Sequence, residues 1–452
     1  MKRYLSLFLV LTLSTAATAG IVGWRNDWTG KFPDADPPTA WSPDSGVLWK
    51  TQLPGQSNAS PILVGDRLFV SSDPDILLCI SRLDGKILWE RSNPVVDLLD
   101  EKTRAAYEQE SEKGQEIRDR YNEANSNLRR TKRRAKKDGV DAEENIAELT
   151  ETVEELRKER SNFPTFDKYA TPMHHDVNGH STPTPVSDGN HVFALFGTGV
   201  VICYDLDGNP VWRKFVETPK NKWGHSASPL IIDNMLLIQI RDLVALDTTT
   251  GEEKWRANTS SYWGTPIAIE IGGTKAVVTP KGDVVRASNG EVLASELSGL
   301  DFSTPVLDNG VIYFIQAGGR AVKIPPTLEE KFQTEWTTRP RSDRYYASPV
   351  IHDGLIYTIT RNNVFSVIDQ SSGEIVYSET LSLGAGDAYP SIVMAGGNLY
   401  ASNSNGTTII LKPGREYAQI AMNSLEKFMS TPIFNARRMY LRGNENLYCI
   451  GK

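Results

Sequence analysis

Apolar and polar positions recur along the chain in one repeated pattern. Each repeat begins with a small residue and a proline, continues with two short apolar runs separated by a turn, and often ends near a tryptophan. The prolines that mark the eight starts are Pro61, Pro183 or Pro185, Pro229, Pro266, Pro305, Pro349, Pro390 and Pro432. From the second start onward the steps are 46, 37, 39, 44, 41 and 42 residues. This period is typical of a β-propeller with one four-stranded blade per repeat.

The third repeat shows the predicted strands most clearly. Its apolar runs at 229–232, 235–240 and 243–246 are separated by polar turns, and a fourth run opens at Glu253. Asp, Asn and Gly in the turns tolerate the positive φ of tight hairpins, and the runs are rich in Val, Ile and Leu. The sequence therefore predicts an all-β fold, an eight-bladed β-propeller of four-stranded antiparallel blades.

The last repeat ends at Lys452 before any fourth strand, and its missing strand is predicted at the other end of the chain. The segment Gly46 to Lys50 resembles the fourth strands of repeats 1 and 3. We expect it to complete blade 8, which removes an open sheet edge.

Two residue types recur at fixed places in the repeat. Five tryptophans close their repeats, and we expect each ring to pack across to the next blade; the alternative, a row of ligand-stacking rings, is weaker because the spacing follows the fold. They are Trp49, Trp89, Trp212, Trp255 and Trp336. Cys79, Cys203 and Cys449 share one slot in repeats 1, 2 and 8, and we expect three small buried core residues.

At these motifs the chain resembles the pyrroloquinoline-quinone-repeat propellers. Repeat 3 carries the full A-x-D-x-x-x-G-x-x-x-W docking motif as Ala245, Asp247, Gly251 and Trp255. Repeats 1 and 2, which end in Trp89 and Trp212, carry shortened versions. The resemblance covers roughly residues 41–94 and 178–452 and implies the propeller fold.

The resemblance implies one of two functions. The quinoprotein alcohol dehydrogenases bind the quinone with calcium on the propeller axis, whereas the BamB-like branch is a non-enzymatic scaffold in outer-membrane assembly. This chain is more similar to the second branch, since it lacks the adjacent cysteine pair of many dehydrogenases and shows no constellation of calcium-binding carboxylate, amide and catalytic Asp. It departs from that branch in having no lipidated cysteine and in carrying a large insertion.

The N-terminus predicts export. Lys2 and Arg3 precede a short apolar run, and Ala17-Thr18-Ala19 supplies a small-x-small cleavage site, so residues 1–19 resemble a signal peptide. No cysteine follows the run, and no other stretch is long and apolar enough to span a membrane. We therefore expect a periplasmic or extracellular protein that is not lipid-anchored. The net charge of −7 argues against nucleic acid as a partner.

The repeat is interrupted once, by 122 residues between the first two marker prolines. Within the interruption, two heptad stripes predict an antiparallel α-helical coiled-coil hairpin between blades 1 and 2, with a stop at Gly139 and an N-cap at Asp141. The stripes are Ile117, Tyr121, Ala124 and Leu128, and Ile146, Leu149, Val153 and Leu156. We expect the second helix to be on the order of 30 Å long and the hairpin to lie beside the axial opening.

The end of the first helix is strongly basic. Its cations are Arg129, Arg130, Lys132, Arg133, Arg134, Lys136 and Lys137. One interpretation is an anionic partner, such as lipid headgroups or an acidic polysaccharide. The favoured interpretation is pairing with the acidic second helix, because complementary charges set register in such hairpins.

Other candidates surround the predicted channel. Arg241, Lys281, Arg361 and Arg442 follow the second strand of four repeats, where a ring would bring them to one mouth; the alternative is solvated turn residues paired with nearby Asp. Aromatic and polar residues at the inner-strand starts are Asn58, Trp263, Phe302, Tyr345, Tyr346 and Tyr389. His174, His175 and His180 are weak metal candidates, since their spacing matches no standard motif.

These observations divide the chain and favour one function. The predicted units are the signal peptide 1–19, an extension 20–45, propeller 46–94, the hairpin and its return at 95–178, and propeller 179–452. We expect a non-catalytic binding or assembly scaffold of the cell envelope, with envelope proteins of unknown identity as partners and no cofactor. The alternative is a dehydrogenase of alcohols or sugars that uses pyrroloquinoline quinone with Ca²⁺. A third possibility, suggested by the axial aromatics alone, is a carbohydrate-binding module.

Overall fold

A computed structural model describes residues 21–139, 141–219, 222–260 and 263–451. The predicted signal peptide, residues 1–19, lies outside the described residues. Eight antiparallel sheets follow one another around a central channel, and the hydrophobic core consists of the layers between neighbouring sheets. The predicted eight-bladed propeller is therefore confirmed.

The blades run from an inner strand at the channel to an outer strand at the rim. Blade 1 contains β3 (Ile62–Val64), β4 (Arg67–Ser72), β5 (Ile76–Ser81) and β6 (Ile87–Ser92), and blade 2 contains β7 (Val186–Ser187), β8 (His191–Leu195), β9 (Val200–Asp205) and β10 (Pro210–Phe215). Blade 3 contains β11 (Leu230–Ile232), β12 (Met235–Gln239), β13 (Leu243–Asp247) and β14 (Glu253–Ala257). Blade 4 contains β15 (Ile267–Ile271), β16 (Thr274–Val278), β17 (Val284–Arg286) and β18 (Val292–Ala294).

Blades 5 to 8 continue the same order. Blade 5 contains β19 (Val306–Asp308), β20 (Val311–Phe314), β21 (Gly319–Lys323) and β22 (Gln333–Thr338), and blade 6 contains β23 (Val350–His352), β24 (Leu355–Ile359), β25 (Val364–Asp369) and β26 (Ile375–Thr380). Blade 7 contains β27 (Val393–Ala395), β28 (Asn398–Ser402), β29 (Thr407–Leu411) and β30 (Gln419–Ser424). Blade 8 contains β31 (Ile433–Asn435), β32 (Arg438–Arg442) and β33 (Asn446–Gly451) and is completed by β2 (Val47–Gln52).

The ring closes as the sequence predicts. Strand β2 pairs antiparallel with β33, so that Trp49 lies opposite Cys449 and the N-terminal strand becomes the outer strand of blade 8. The free cysteines Cys79, Cys203 and Cys449 are all buried, which confirms their prediction as core residues.

The closing tryptophans dock on the next blade, as expected. In blade 2 the Trp212 ring packs on Gly251 of blade 3, and its indole N–H donates to the Thr248 carbonyl at 2.8 Å. The same arrangement joins four other pairs, namely Trp49 with Gly85, Trp89 with Gly208, Trp255 with Gly290, and Trp336 with Gly373. Each of these glycines has a positive φ and lies so close to the indole that a side chain would collide with it.

The interruption between blades 1 and 2 forms a helical arm. A short 3-10 helix (Val95–Leu98) leads into α1 (Glu101–Asp138), which is about 57 Å long; α2 (Glu143–Arg160) returns for about 27 Å, and α3 (Pro164–Tyr169) follows. The predicted seam is confirmed, with Leu128 and Val153 among its buried members. Gly139 ends α1 with φ of 64°, whereas the N-cap position of α2 is Ala142, with Asp141 accepting a hydrogen bond from the Glu143 N–H.

Because α2 is half the length of α1, the base of the arm is covered by α3. Phe166 of α3 packs on Gly114 of α1, where a Cβ atom would lie 2.6 Å from the ring. Tyr107 stacks on the same ring with centroids 5.8 Å apart, and the Glu110 carboxylate accepts the Phe166 N–H at 2.8 Å. The return segment in turn contacts the propeller, because the Tyr169 ring meets the Phe215 ring of blade 2 edge to face with centroids 5.1 Å apart.

Within the predicted extension at 20–45, the described residues 21–45 have a structure that the sequence did not indicate. Val22 forms an antiparallel bridge with Ser187 at the end of the inner strand of blade 2. Strand β1 (Lys31–Phe32) then pairs in parallel with β27, so blade 7 has five strands. Residues 21–32, here called the crossing segment, thus pass across the channel at the far ends of the inner strands.

Candidate functional site

A closed ring of hydrogen bonds surrounds the channel where the inner strands begin. In each blade a serine or threonine hydroxyl oxygen accepts the backbone N–H of the corresponding residue in the preceding blade, at 2.9–3.0 Å. The members of this hydroxyl ring are Ser60, Thr184, Ser228, Thr265, Thr304, Ser348, Ser391 and Thr431. The ring is a second closure of the propeller, independent of strand β2.

The ring also settles the register of the repeat. In seven blades the hydroxyl residue directly precedes a proline, and in blade 2 that proline is Pro185 rather than Pro183. In blade 7 the ring residue is Ser391, which follows Pro390. The position equivalent to the marker proline is Ile392 in blade 7, so Pro390 lies two residues out of step with the others.

All eight hydroxyl groups line one axial cavity of about 310 Å³. Its wall includes four rings in contact, here called the aromatic wall: Trp263, Phe302, Tyr346 and Tyr389. Trp24 of the crossing segment lines the cavity as well, so this segment forms part of the cavity wall.

Within the aromatic wall the rings cover one another. Trp263 and Phe302 stack with an interplanar angle of 12°, and Tyr346 and Tyr389 stack at 3° with centroids 4.5 Å apart. Phe302 meets Tyr346 edge to face, at 88°. Burial is the largest of the causes that raise the pKa of Tyr389 to about 12, so its hydroxyl is protonated at neutral pH.

Of the aromatic residues predicted from the sequence, Tyr345 lies elsewhere. It is 2% exposed, its hydroxyl donates to the Arg341 carbonyl at 3.3 Å, and it does not line the axial cavity. Tyr345 and Tyr346 are adjacent on an extended segment, so their side chains point to opposite sides and only Tyr346 faces the channel.

The four predicted cations do not converge on the cavity. Arg442 is fully buried between blades 8 and 1, where it donates to the Gly443 and Gly55 carbonyls at 2.6 and 2.7 Å. Lys281 pairs with Asp301, and Arg361 lies 3.9 Å from Asp387.

Arg241 is likewise engaged locally. Its guanidinium donates to the carbonyl and hydroxyl oxygens of Thr218 at 2.6 and 3.0 Å. Asp242, the expected partner of Arg241, instead lies 3.4 Å from Arg256. The alternative interpretation, solvated turn residues paired with nearby Asp, fits Lys281 and Arg361 but neither the buried Arg442 nor Arg241, which bonds to Thr218.

The cation that does line the axial cavity is Arg344, which the sequence analysis did not single out. Its guanidinium carbon lies 6.0 Å from the centre of the Phe302 ring, and Nη1 is 3.3 Å from the Tyr346 hydroxyl. Among the described residues, no carboxylate lies within 4 Å of this guanidinium. In the sequence, only its position two residues before Tyr346 of the aromatic wall indicates that it lies near the cavity.

A second cation, Arg25, follows the lining residue Trp24 in the crossing segment. Its guanidinium carbon is 5.1 Å from the centre of the Trp24 ring, and Nη2 donates to the Ile392 carbonyl at 2.7 Å, next to the ring residue Ser391. Nε and Nη1 are buried and have no hydrogen-bond partner in the described part of the chain. Burial lowers the pKa of Arg25 to about 9, because the charged form loses its hydration.

The histidines predicted as weak metal candidates lie near the cavity mouth. His174 and His180 have ring centroids 4.1 Å apart, whereas His175 stacks on Trp223 at 4.2 Å. Burial lowers the pKa of His180 to about 4. The residues that the structure describes contain no group of three His, Cys, Asp or Glu side chains that could hold a metal ion.

The arm leans over the same face of the propeller. Arg129 of α1 lines a cleft with Trp223, Arg241 and Trp263, so this cleft adjoins the axial cavity. The predicted position of the hairpin beside the axial opening is confirmed.

The favoured interpretation of the basic tip, residues 129–137 of α1, is wrong. Its seven cations are exposed, and within the described ranges none of them makes an ion pair with α2. The one ion pair between the helices, Arg120 with Glu159 at 4.0 Å, lies lower in the arm. The tip cations fail to pair because most of them lie on the outer side of α1, away from the seam at Leu128.

Comparison with known proteins decides the family. The family model described as outer membrane protein assembly factor BamB matches residues 16–117, 160–379 and 242–450, which is most of the chain. The chain belongs to this BamB-like family. No curated protein matches the sequence.

Two solved structures resemble the BamB-like propeller over most of its length. BamB from Moraxella catarrhalis has a TM-score of 0.56 at 10% identity and covers 89% of this chain and 99% of its own. A europium-containing methanol dehydrogenase has a TM-score of 0.57 at 10% identity, with 95% and 98% covered. At this identity both likenesses concern the fold alone.

The BamB-like fold is thus similar to that of a methanol dehydrogenase. The quinoprotein dehydrogenases that the sequence resembles hold a quinone with calcium on the axis, so the lining residues must offer ligands for both if this chain does the same. Calcium prefers oxygen ligands, among which carboxylates predominate. The described residues that line the axial cavity offer hydroxyl, amide and aromatic groups and one guanidinium, but no Asp or Glu. The three cysteines lie buried on separate blades. These residues do not fit a calcium–quinone pair, and none is a carboxylate base.

In the described part of this BamB-like chain, no helix is both long and apolar enough to cross a membrane.

Proposed function

We propose that this BamB-like propeller is a non-catalytic binding scaffold of the cell envelope that works without pyrroloquinoline quinone. The observation that carries the proposal is the lining of the axial cavity, whose described residues include no carboxylate. An alcohol oxidation needs a base to remove the hydroxyl proton, and His and carboxylates are the usual groups. Burial lowers the pKa of His180 to about 4. Its imidazole is therefore neutral at pH 7 but has little affinity for a proton, which makes it a poor base.

The arm supports a binding role. It extends about 57 Å along α1, α3 braces its base and contacts blade 2 through Tyr169 and Phe215, and its tip carries seven exposed cations without ion pairs among the described residues. A rigid arm of this kind adds contact surface to the face that holds the axial cavity. Its charge favours a partner with an acidic surface, because opposite potentials steer association.

Site-specific crosslinking in cells tests the scaffold proposal. A photo-crosslinking amino acid would replace Arg133 at the tip, and a control would replace Glu252, which is exposed in the turn before β14 on the opposite face. We expect discrete envelope-protein adducts from position 133 and none from position 252. A variant with Arg130→Glu and Arg134→Glu should lose those adducts. Identical adducts from both positions, or none at position 133, would contradict a partner-binding arm.

A further inference from the structure

Each member of the hydroxyl ring retains an unused donor. Its oxygen accepts a backbone N–H from the preceding blade, and in the described part of the chain none of the eight hydroxyl groups donates to another protein atom. A hydroxyl has one O–H to donate. Because all eight line the cavity, their hydrogens are available to whatever occupies it.

The rest of the lining has the same polarity. Rings that cover one another's faces, such as Tyr346 and Tyr389, present their edges to the cavity, and aromatic edges are electropositive. Arg344 adds a full positive charge at the wall. Of the two amides in the lining, Asn58 already donates to the Val177 carbonyl. No described carboxylate lines the cavity, and the nearby Asp343 and Asp387 lie outside the lining.

Arg25 is a second cation close to the cavity, beside the lining residue Trp24, and Asp27 is a negative charge that acts on it. A fully buried guanidinium without a carboxylate is costly, and two of its nitrogen atoms have no acceptor among the described residues. Its guanidinium lies over the ring of Trp24, which lines the cavity, and donates to the carbonyl of Ile392, the residue after Ser391. Burial is the main cause that lowers the pKa of Arg25, and the negative charge of Asp27 opposes part of this shift.

We infer that the axial cavity is a binding site for a small organic oxyanion, a molecule that carries carboxylate or phosphate groups. The hydroxyl ring would donate to its oxygen atoms, Arg344 would pair with one anionic group, and Arg25, beside Trp24, would add long-range attraction. A cavity of about 310 Å³ is large enough for a compact metabolite but lies at the lower end of ligand pockets. The binding requires no metal.

Titration of the purified full-length protein tests this site. Citrate serves as the carboxylate probe, glucose 6-phosphate as the phosphate probe and glucose as the matched neutral compound, with binding followed by calorimetry and by tryptophan fluorescence. Trp24, Trp223 and Trp263 line the cavity and should respond. We expect at least one anion to bind saturably in the millimolar range or tighter, and glucose not to bind. Whether citrate or the sugar phosphate binds distinguishes the two kinds of anion.

Variants assign the binding to the cavity. Arg344→Gln should weaken the anion by about tenfold or more, because a hydrogen bond to a charged group is lost. Arg341→Gln, three residues away and outside the lining, should leave the affinity unchanged. Thr265→Ser keeps the ring hydroxyl and should bind normally, whereas Thr265→Val removes a donor and should bind less well.

Three results would overturn the inference: no saturable binding of either anion, equal binding of glucose, or unchanged affinity in Arg344→Gln. The folded state of each variant is checked by its unfolding midpoint, so that a loss of structure is not taken for a loss of binding. The site is independent of the proposed scaffold function. A protein without crosslinked partners could still bind the anion, and a scaffold with partners could still have a cavity filled with water.

Discussion

The hydroxyl oxygen of Ser60 accepts the backbone N–H of Thr431 at 3.0 Å, although 371 residues separate them in the chain. This hydrogen bond joins blade 8 to blade 1 at the channel, while β2 pairs with β33 in the body of blade 8. The propeller is therefore closed twice, at the axis and at the rim. A closed ring leaves no free edge between its first and last blades.

Removal of that acceptor should weaken the closure. In Ser60→Ala the buried Thr431 N–H loses its partner, and we expect a loss of about 1–3 kcal/mol in the free energy of unfolding, measured by denaturant titration. Ser60→Thr, which keeps the hydroxyl, should lose much less. Ser288→Ala at an exposed turn is the matched control and should stay near the wild-type value. Equal stability of Ser60→Ala and Ser288→Ala would show that the ring bond contributes nothing.

Crowding at the docking tryptophans can be separated from backbone strain. Gly251 has φ of 70° and an added Cβ would lie 2.7 Å from the Trp212 ring, whereas Gly310 has φ of 74° and nothing within 4 Å. Both Gly→Ala variants carry the cost of positive φ, about 1–2 kcal/mol. We expect Gly251→Ala to lose about 1–3 kcal/mol more, from overpacking. Equal unfolding midpoints for the two variants would contradict close docking of Trp212 on Gly251.

Stability should fall on mild acidification because of two buried histidines. Burial holds the pKa of His180 and His225 near 4, below the ordinary value of about 6.5 in the unfolded chain. Between those values the unfolded chain binds more protons than the folded one, so the free energy of unfolding decreases as the pH falls through this window.

Replacement of one of them should flatten that dependence. We expect His225→Gln to reduce the change in unfolding free energy between pH 7 and pH 5, compared with wild type and with His352→Gln in the inner strand of blade 6. Identical pH dependence in the wild type and His225→Gln would contradict a buried neutral imidazole at position 225.

The basic tip should be dispensable for stability. Since its cations make no ion pairs among the described residues, we expect Arg130→Glu with Arg133→Glu to change the unfolding free energy by no more than about 0.5 kcal/mol. Leu156→Ala in the buried seam is the contrasting variant and should melt the arm at lower temperature, as followed by far-UV circular dichroism. If the charge reversal destabilised the protein as much as Leu156→Ala does, that result would show that the tip cations pair with α2 after all.

The sequence allowed the repeating parts of this fold to be predicted because each blade repeats one pattern. The steps between prolines, the Gly and Trp of the docking motif, and the heptad stripes around Leu128 and Val153 all depend on neighbours close in the chain. The crossing segment follows no repeat. Its path depends on partners such as Ser187 and Met394, more than 150 residues away, which no local pattern specifies.

The candidate site was predicted in part for the same reason. Trp263, Tyr346 and Tyr389 line the cavity as expected, because their place in the repeat fixes which way they point. Arg344 and Arg25 lie outside the repeating positions, so the alignment of blades did not find them. The ring hydroxyls were visible only as small residues beside proline; their shared bonding became apparent when all eight starts came together around the axis.

The central claim, a scaffold that does not catalyse quinone-dependent oxidation, is tested most directly by reconstitution. The purified protein would be incubated with pyrroloquinoline quinone and either calcium or a lanthanide, and dye-linked oxidation of methanol, ethanol and glucose would be measured beside a known quinoprotein dehydrogenase. We predict no turnover above the protein-free control, because the described lining of the axial cavity has no carboxylate to hold the metal or to act as base. Saturable, metal-dependent turnover of any of these substrates would contradict the account.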